Sequence, residues 1–506
     1  MPAPALDYPE WKAPAADGDL IIWPDPADFL AQTRDNHRNL SNATDVRIGT
    51  VPLPELRRRM RAWIGHVDDA QPLIATGHQS ELYHPGVWVK DALTNAAARR
   101  LDARAYHFAV DTDSPKHLNL RWPGRAEPIT DDPALATAEW SALVDAPSPA
   151  HVQHLEGQLG NAARSWGYTP AALDVLASLK RLALEPTSLP VAVTNATHEL
   201  DWSLGLRHHA LVLSPVWLAE PYLVFLHHVL AHARRFATDY NAALGDYRSA
   251  HRIRGATRPM PNVSVFDASV EAAFWLDELS TGRRARPSVF DAGDGAFVLK
   301  LTGGDEFVFD PAADAWDAAG RLGQWLRTNE VRLSPRALTL TTFFRLLLAD
   351  NFVHGIGGGR YDQVTDRLIA RHVGIEPPKF AVTTATLFFP QAVGRTRACL
   401  PCVAQEGHRL RHALIGAGRK RELVAAIDAA PRHSERRRAA FYDMHRQLDA
   451  AEAAGHPALR KWEQRLREAR EHAAEDVQLF DRELFYAIQP RERLSGMIER
   501  YDAAFA

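Results

Sequence analysis

Two short stretches gather the residues whose types and spacing could do chemistry. The first runs from Thr76 through Gly77, His78, Gln79 and His84 to Gly86, with Lys90 just beyond it. An imidazole is poised near neutral pH to take a proton from an amine, so His78 is the expected base and His84 its reserve. Lys90 and the backbone N–H groups of the turn suit a phosphate or a developing oxyanion. Asp111 and Asp113 follow, and their hard carboxylate oxygens suit an amine, or Mg2+ if a nucleotide is used. The second stretch is Asn351–Asp366, with glycine at 355, 357, 358 and 359, then Arg360, Tyr361 and Asp362. Glycine permits close backbone approach, and consecutive N–H groups cup anions. No GK[ST] follows, so this is no Walker loop; it reads as a nucleotide or carboxylate cradle, with a plain tight turn as the alternative. Arg248 and Arg252, beside Arg254 and Arg258, form a third group. Guanidinium groups grip carboxylate and phosphate, although the same cluster also reads as the basic end of a helix.

The elements that must position these residues follow from periodicity. Leu73–Thr76 is a short apolar strand, Gly77–Gly86 a polar turn and Val87–Arg100 a helix; Ala105–Val110 is a second strand leading into Asp111. A β-loop-α-β unit of this kind puts its loop at the carboxyl edge of a parallel sheet, where open α/β sheets bind ligands. The helix start adds free N–H groups for an anion.

Along the chain we expect the first part of a core at 1–123, a helical insertion at 124–200, and core helices with the basic segment at 201–261. A small β-rich connecting subdomain follows at 262–330, then the second part of the core at 331–418 and a helical arm at 419–506. Leu189–Asn195 and Leu211–Leu218 read as strands, and Pro221–Leu244 as one long helix carrying His227, His228 and His232. That histidine spacing occurs in helical metal sites, but no third ligand accompanies it, so no metal is expected. Arg57–Arg59 and Arg61 read as a solvated helix face, or else as a phosphate-facing one. At the tail, Ser434–Ala454 and Pro457–Leu484 read as two antiparallel helices, with a seam through Leu459, Trp462, Leu466 and Phe480.

Bulk properties narrow the classes. At 506 residues and 46% hydrophobic, the chain can bury a large core. A net charge of -3 argues against nucleic acid and membrane surfaces as partners, and no apolar run is long enough to span a bilayer. The start lacks a secretory pattern. With Cys399 and Cys402 the only cysteines, the expectation is two reduced, buried or incidental thiols in a cytoplasmic protein.

Four collinear stretches resemble the cysteine-adding ligase family of bacillithiol biosynthesis (BshC-like). They are Thr76-Gly-His-Gln79 with Lys90, the segment Phe274-Trp-Leu-Asp-Glu278, Ser334-Pro-Arg336 leading to Gly355–Arg360, and Phe485-Tyr-Ala-Ile-Gln-Pro-Arg-Glu-Arg-Leu494. The resemblance implies a Rossmann-like parallel-sheet core, small connecting subdomains, and a coiled coil that makes a homodimer. It also implies a ligase joining cysteine to the amine of a small anionic, sugar-malate-like acceptor, with ATP or ADP as the associated nucleotide. Departures fall on the site: His78 stands where the family has Gln, and Gly357-Gly-Gly-Arg-Tyr-Asp362 replaces a Gly-Pro and a Glu. On this reading Thr76, Gly77, Gln79, Gly357, Gly358, Gly359 and Asp362 line the substrate site, while Arg248, Arg252 and Arg360 hold substrate carboxylates. The rival readings are a non-catalytic dimeric scaffold of the same fold and a nucleotidyltransferase-like enzyme. All of them require the two glycine-bearing stretches to meet at one rim.

Overall fold

The computed structural model describes residues 8–255, 257–397 and 399–506. It is a mixed α/β protein whose chain divides into two compact units: residues 1–387 with 482–506, and residues 388–481.

The first unit is built on a six-stranded sheet. Its strands are β1 (Leu20–Trp23), β2 (Leu73–Gln79), β3 (Arg104–Val110), β4 (His209–Val212), β5 (Asn351–His354) and β6 (Ala381–Ala385). The spatial order is β1-β6-β5-β2-β3-β4. Every pair is parallel except β1 with β6. Counting only the parallel strands, the order is 3-2-1-4-5, so it reverses between β2 and β5. Thr76 of β2 stands opposite Val353 of β5 on one side and His107 of β3 on the other.

Four helices of this unit matter below: α1 (Leu53–Trp63), α2 (Pro85–Leu101), α3 (Leu189–Ser203) and α4 (Ile356–His372). His84 caps α2, its Nδ1 accepting the Gly86 N–H at 3.1 Å, and Pro85 opens the first turn where no N–H is needed. Alanines at 92, 96, 97 and 98 let this helix lie buried against the sheet. Its last turn is basic and its C-cap is the left-handed Asp102.

Several expectations need correction. β2 runs on through Gly77, His78 and Gln79, so these residues end a strand and do not open a loop. Leu189–Asn195 is the first half of α3, with Pro190 in its opening turn. Leu211–Leu218 splits into β4 and a short tight turn of helix, Ser214–Leu218. The long helix at Pro221–Leu244 is two, Glu220–Ala231 and Ala233–Ala250, with His232 between them. Its histidines are structural: His228 Nδ1 accepts the Gly49 N–H at 3.0 Å, and His232 Nδ1 donates to the His228 carbonyl at 2.9 Å. α4 begins at Ile356, five residues before the expected Tyr361, so the glycines form its first turn. Arg57 and Arg61 are no solvated face; both are buried, at 2% exposure, and paired with Asp350. The 262–330 stretch holds short antiparallel strands, including Ser288–Gly293 with Ala296–Lys300 and Glu306–Phe309.

The second unit contains α5 (Leu400–Leu414), α6 (Ala417–Asp428), α7 (Glu435–Ala453) and α8 (Pro457–Leu479). The expected pairing of α7 with α8 is replaced. α8 lies along α5, where the Trp462 indole donates to the Val403 carbonyl at 2.8 Å and its ring fills the space over Gly407; α7 lies along α6. Cys399 and Cys402 are exposed and joined in a disulfide, not reduced. Among the described residues, no helix is long and apolar enough to cross a membrane.

Candidate functional site

Where the strand order reverses, the carboxyl ends of β2 and β5 and the first turns of α2 and α4 enclose a pocket of about 330 Å3. This is the place at which open parallel sheets leave a crevice, because the connections on either side lead away in opposite directions. From the β2–α2 side it is lined by Gly77, His78, His84, Gly86 and Lys90; from the β5–α4 side by His354 to Gly358. Ala13, Val87, Thr384 of β6 and Arg482 complete it. Two helix N-termini thus face one cavity, each bringing the positive end of a dipole; at α2, Pro85 has no N–H and those of Gly86, Val87 and Trp88 are taken by His84, so the open N–H groups are those at the start of α4. Among the described residues no carboxylate lines it.

Close approach explains glycine at two of these positions. A Cβ on Gly86 would come to 2.6 Å from Thr384 Oγ1 and 3.0 Å from the Ala385 carbonyl. One on Gly358 would come to 2.7 Å from His354 Nδ1. Both helix starts therefore reach the sheet only without side chains.

The basic groups of the pocket are desolvated. Lys90 is buried, and its Nζ donates to the Gly77 carbonyl at 2.7 Å. Burial pushes its pKa down to about 8, with Asp91 only partly opposing, so near neutral pH the amine is a cation with no ion-pair partner among the described residues. Burial first, and then Lys90, holds His78 well below the ordinary imidazole range. Its Nδ1 lies 3.1 Å from the Gln79 carbonyl, to which it donates as the neutral ring. His84 is lowered by burial, opposed by Glu483 at 3.7 Å. Arg482 is lowered by burial as well, and donates to the Ala385 carbonyl at 3.3 Å.

His354 differs from the other two imidazoles in having a buried carboxylate at hydrogen-bond distance, where His84 has only the more distant Glu483. Its Nε2 stands 2.8 Å from Asp362 Oδ2. Asp362 also receives Arg345 Nη1 at 2.9 Å, and Arg345 in turn reaches Asp366 at 2.5 Å, whose other oxygen accepts the Tyr8 hydroxyl. Burial alone would raise Asp362; Arg345 and His354 hold it down at about 2.

Of the residues singled out in the sequence, the pocket gathers Gly77, His78, His84, Lys90, Gly357 and Gly358. The others lie elsewhere. The Thr76 hydroxyl donates to the Val353 carbonyl in the seam between strands. Gln79 Nε2 donates to Asp113 at 2.8 Å, a pair outside the lining of the pocket. Asp111 is buried and accepts both the N–H and the hydroxyl of Ser214, so its oxygens are spent on a turn. Arg248 pins its own loop, donating to the Arg258 and Met260 carbonyls and to Asn262. Arg252 is exposed with a φ of 54°, and Arg360 donates to the Trp11 carbonyl at 3.1 Å. Gly359 backs onto Val382 and Trp11, and Asp362 sits behind His354 and not in the cavity. Sequence reasoning missed His354 and Arg482. The available signal for His354 was a histidine ending an apolar strand directly before glycine, the pattern already noted at Thr76-Gly-His78 with its order inverted.

A second buried cluster lies between α2, β3 and α3. Asp91 takes His107 Nδ1 at 2.9 Å, and Asp201 accepts Trp88 Nε1 at 2.8 Å and the Tyr486 hydroxyl at 3.2 Å. Ligand atoms of Asp91, Asp201 and His208 lie within 4.8 Å of one another, close enough to suggest a metal. Hydrogen bonding argues otherwise. Asn95 Oδ1 accepts the Arg207 N–H, which turns its Nδ2 toward the Asp91 carbonyl and His208 Nδ1. His208 must then carry its proton on Nε2, the atom 3.8 Å from Asp201, and a protonated nitrogen ligates nothing. Burial and the neighbouring Asp91 raise Asp201 well above the usual carboxylate range, so one acid of the pair is neutral.

No family model matches this chain, and no curated protein matches it.

Proposed function

We propose that the pocket between β2 and β5 is the active site of an enzyme acting on a small anionic substrate. The single observation that carries this is the convergence of two helix N-termini, Lys90 and Arg482 on a cavity without a carboxylate. Such a donor set favours phosphate or carboxylate ligands. The 3-2-1-4-5 strand order supports a Rossmann-like reading of the core, in which this crevice is the ligand position.

Within that reading, the resemblance of the four collinear stretches makes the reaction a carbon–nitrogen ligation. Cysteine, or a similar amino acid, is joined to the amine of a sugar-malate-like acceptor. Lys90 and the N–H groups at the start of α4 hold the anionic part and neutralise the oxyanion that forms during amide synthesis. The histidines exchange the amine proton. The phosphates of ATP or ADP suit the same N–H groups. Among the described residues no carboxylate lines the pocket to hold Mg2+, and neither Asp111 nor Asp113 reaches its wall. A homodimer through the second unit belongs to the proposal too, supported by Phe441 and Tyr442 standing 47% and 63% exposed on α7.

Thermal-shift and calorimetric titrations with inorganic phosphate, ATP, malate and glucosaminyl-malate test the anion site. Mass spectrometry after adding cysteine tests the ligation. Binding that disappears in Lys90→Met, together with an amide product, supports the proposal. No response to any of these anions would remove it.

A further inference from the structure

We infer that His354 is the proton acceptor of this pocket, acting through Nδ1, with Asp362 and Arg345 as positioning residues. The inference rests on reading the pocket as an active site, and it names a base on the opposite wall from His78.

The tautomer of His354 is fixed by its neighbours. An ionised Asp362 accepts only, so the neutral His354 ring must place its proton on Nε2, at 2.8 Å. Arg345 fixes the carboxylate from behind, donating to Asp362 at 2.9 Å and to Asp366 at 2.5 Å. The lone pair is therefore on Nδ1. That atom has no hydrogen-bond partner among the described residues, and it lies over Gly358, which also lines the pocket. Phe352 and Phe380 hold the ring, their centroids 4.7 and 5.4 Å from it, so the nitrogen cannot swing away.

His78 also leaves one nitrogen, Nε2, without a hydrogen-bond partner among the described residues, but its surroundings differ. Its Nδ1 donates to the Gln79 carbonyl, its nearest basic neighbour is Lys90, and no carboxylate pairs with it. A proton taken up there would add a second buried cation, whereas one taken up at His354 completes an ion pair with Asp362. In the step proposed, an incoming X–H nucleophile gives its proton to His354 Nδ1. The electron pair of that X–H bond forms the new bond to the carbonyl carbon of an acyl phosphate, its C=O π pair moves onto oxygen beside Lys90, and collapse of that oxyanion expels phosphate, while Asp362 holds the imidazolium.

Two measurements that need no knowledge of the substrate test this. Histidine-selective 15N NMR of the intact protein, with His354→Gln for assignment, reads the tautomer directly; the expected form has Nε2 protonated and Nδ1 bare. Carbethoxylation by diethylpyrocarbonate, mapped by peptide mass spectrometry, reads the reactivity of that bare nitrogen. In Asp362→Asn the amide oxygen must take the Oδ2 place, which faces both Arg345 and His354, so the tautomer is kept while the anion that makes the ring basic is lost. The carbethoxylation rate at His354 should then fall severalfold, because a carboxylate partner raises the basicity of an imidazole. Should Asp362→Asn fail to fold, Gly358→Ala sets a methyl at 2.7 Å from Nδ1 and should slow the same labelling. A wild-type ring protonated on Nδ1, or labelling indifferent to both variants, would overturn the assignment. Inorganic phosphate included as a protectant separates the two ideas: without protection the anion site falls while the tautomer result stands.

Discussion

The two ends of strand β5 carry buried charge in opposite ways. At its amino end Asp350 is enclosed. Its Oδ1 meets Arg57 at 2.5 Å and His37 at 3.2 Å, and its Oδ2 meets Arg61 at 2.8 Å and the Leu73 N–H at 2.7 Å. Burial alone would raise this carboxyl; the arginines hold it far below the ordinary range. At the carboxyl end His354 is bonded on one nitrogen only, with the other over a cavity. A group with every valence spent ties elements together, here α1 to β2 and β5. A group with one valence left beside a cavity is available for reaction.

The sharpest way to break this comparison is Asp350→Asn, which strands two arginines in the interior. Urea denaturation should show a loss of about 3–5 kcal/mol. Asp350 titrates far lower folded than unfolded, so its contribution is complete above the unfolded carboxylate pKa of about 4 and is lost as pH falls below it. The gap between wild type and variant should therefore narrow in acid, and a gap independent of pH would deny the ion pairs their role.

Lys90→Met removes a buried cation that has a carbonyl but, among the described residues, no ion-pair partner, and stability at neutral pH should rise by roughly 1–3 kcal/mol. Folded Lys90 titrates at about 8 against 10.5 when unfolded. Between those values the unfolded chain binds more protons, so the wild type gains stability with rising pH, and the advantage of the variant should vanish by the upper limit. His354→Gln gives up one charge-assisted hydrogen bond while Asp362 keeps Arg345. Its cost should be about 1–2 kcal/mol, well below that of Asp350→Asn; an equal loss would make the two ends of β5 alike. The smallest effect belongs to Asp201→Asn. A neutral acid replaced by an amide keeps Trp88 and Tyr486 as donors, and denaturation should register under about 1 kcal/mol.

The central β-α-β unit was legible because strand and helix periods change cleanly between Leu73 and Val110. The same reasoning misjudged Leu189–Asn195, where a short apolar run bounded by proline fits a buried strand and a buried helix alike. Glycines 357–359 looked like a loop because glycine is a poor helix former. Packing decides otherwise: α4 starts early because its first turn lies against His354 and Val382, and side chains there would collide. Half of the pocket was readable, since Gly77, His78, His84 and Lys90 are close together in sequence. The His354–Asp362–Arg345 relay was not, because Arg345 reads as a lone charge in an apolar run until β5 and α4 fold back over it.

The chain leaves the first unit after Leu387 and re-enters it at Arg482, and Arg482 donates to the Ala385 carbonyl at 3.3 Å. Departure and return are therefore neighbours, so the 94 residues between them (388–481) are an excursion from a body that already closes upon itself. A short glycine bridge in their place would keep every wall of the cavity, Arg482 included. In evolution, such an appendage can be lengthened, exchanged or discarded without the chemistry having to be reinvented.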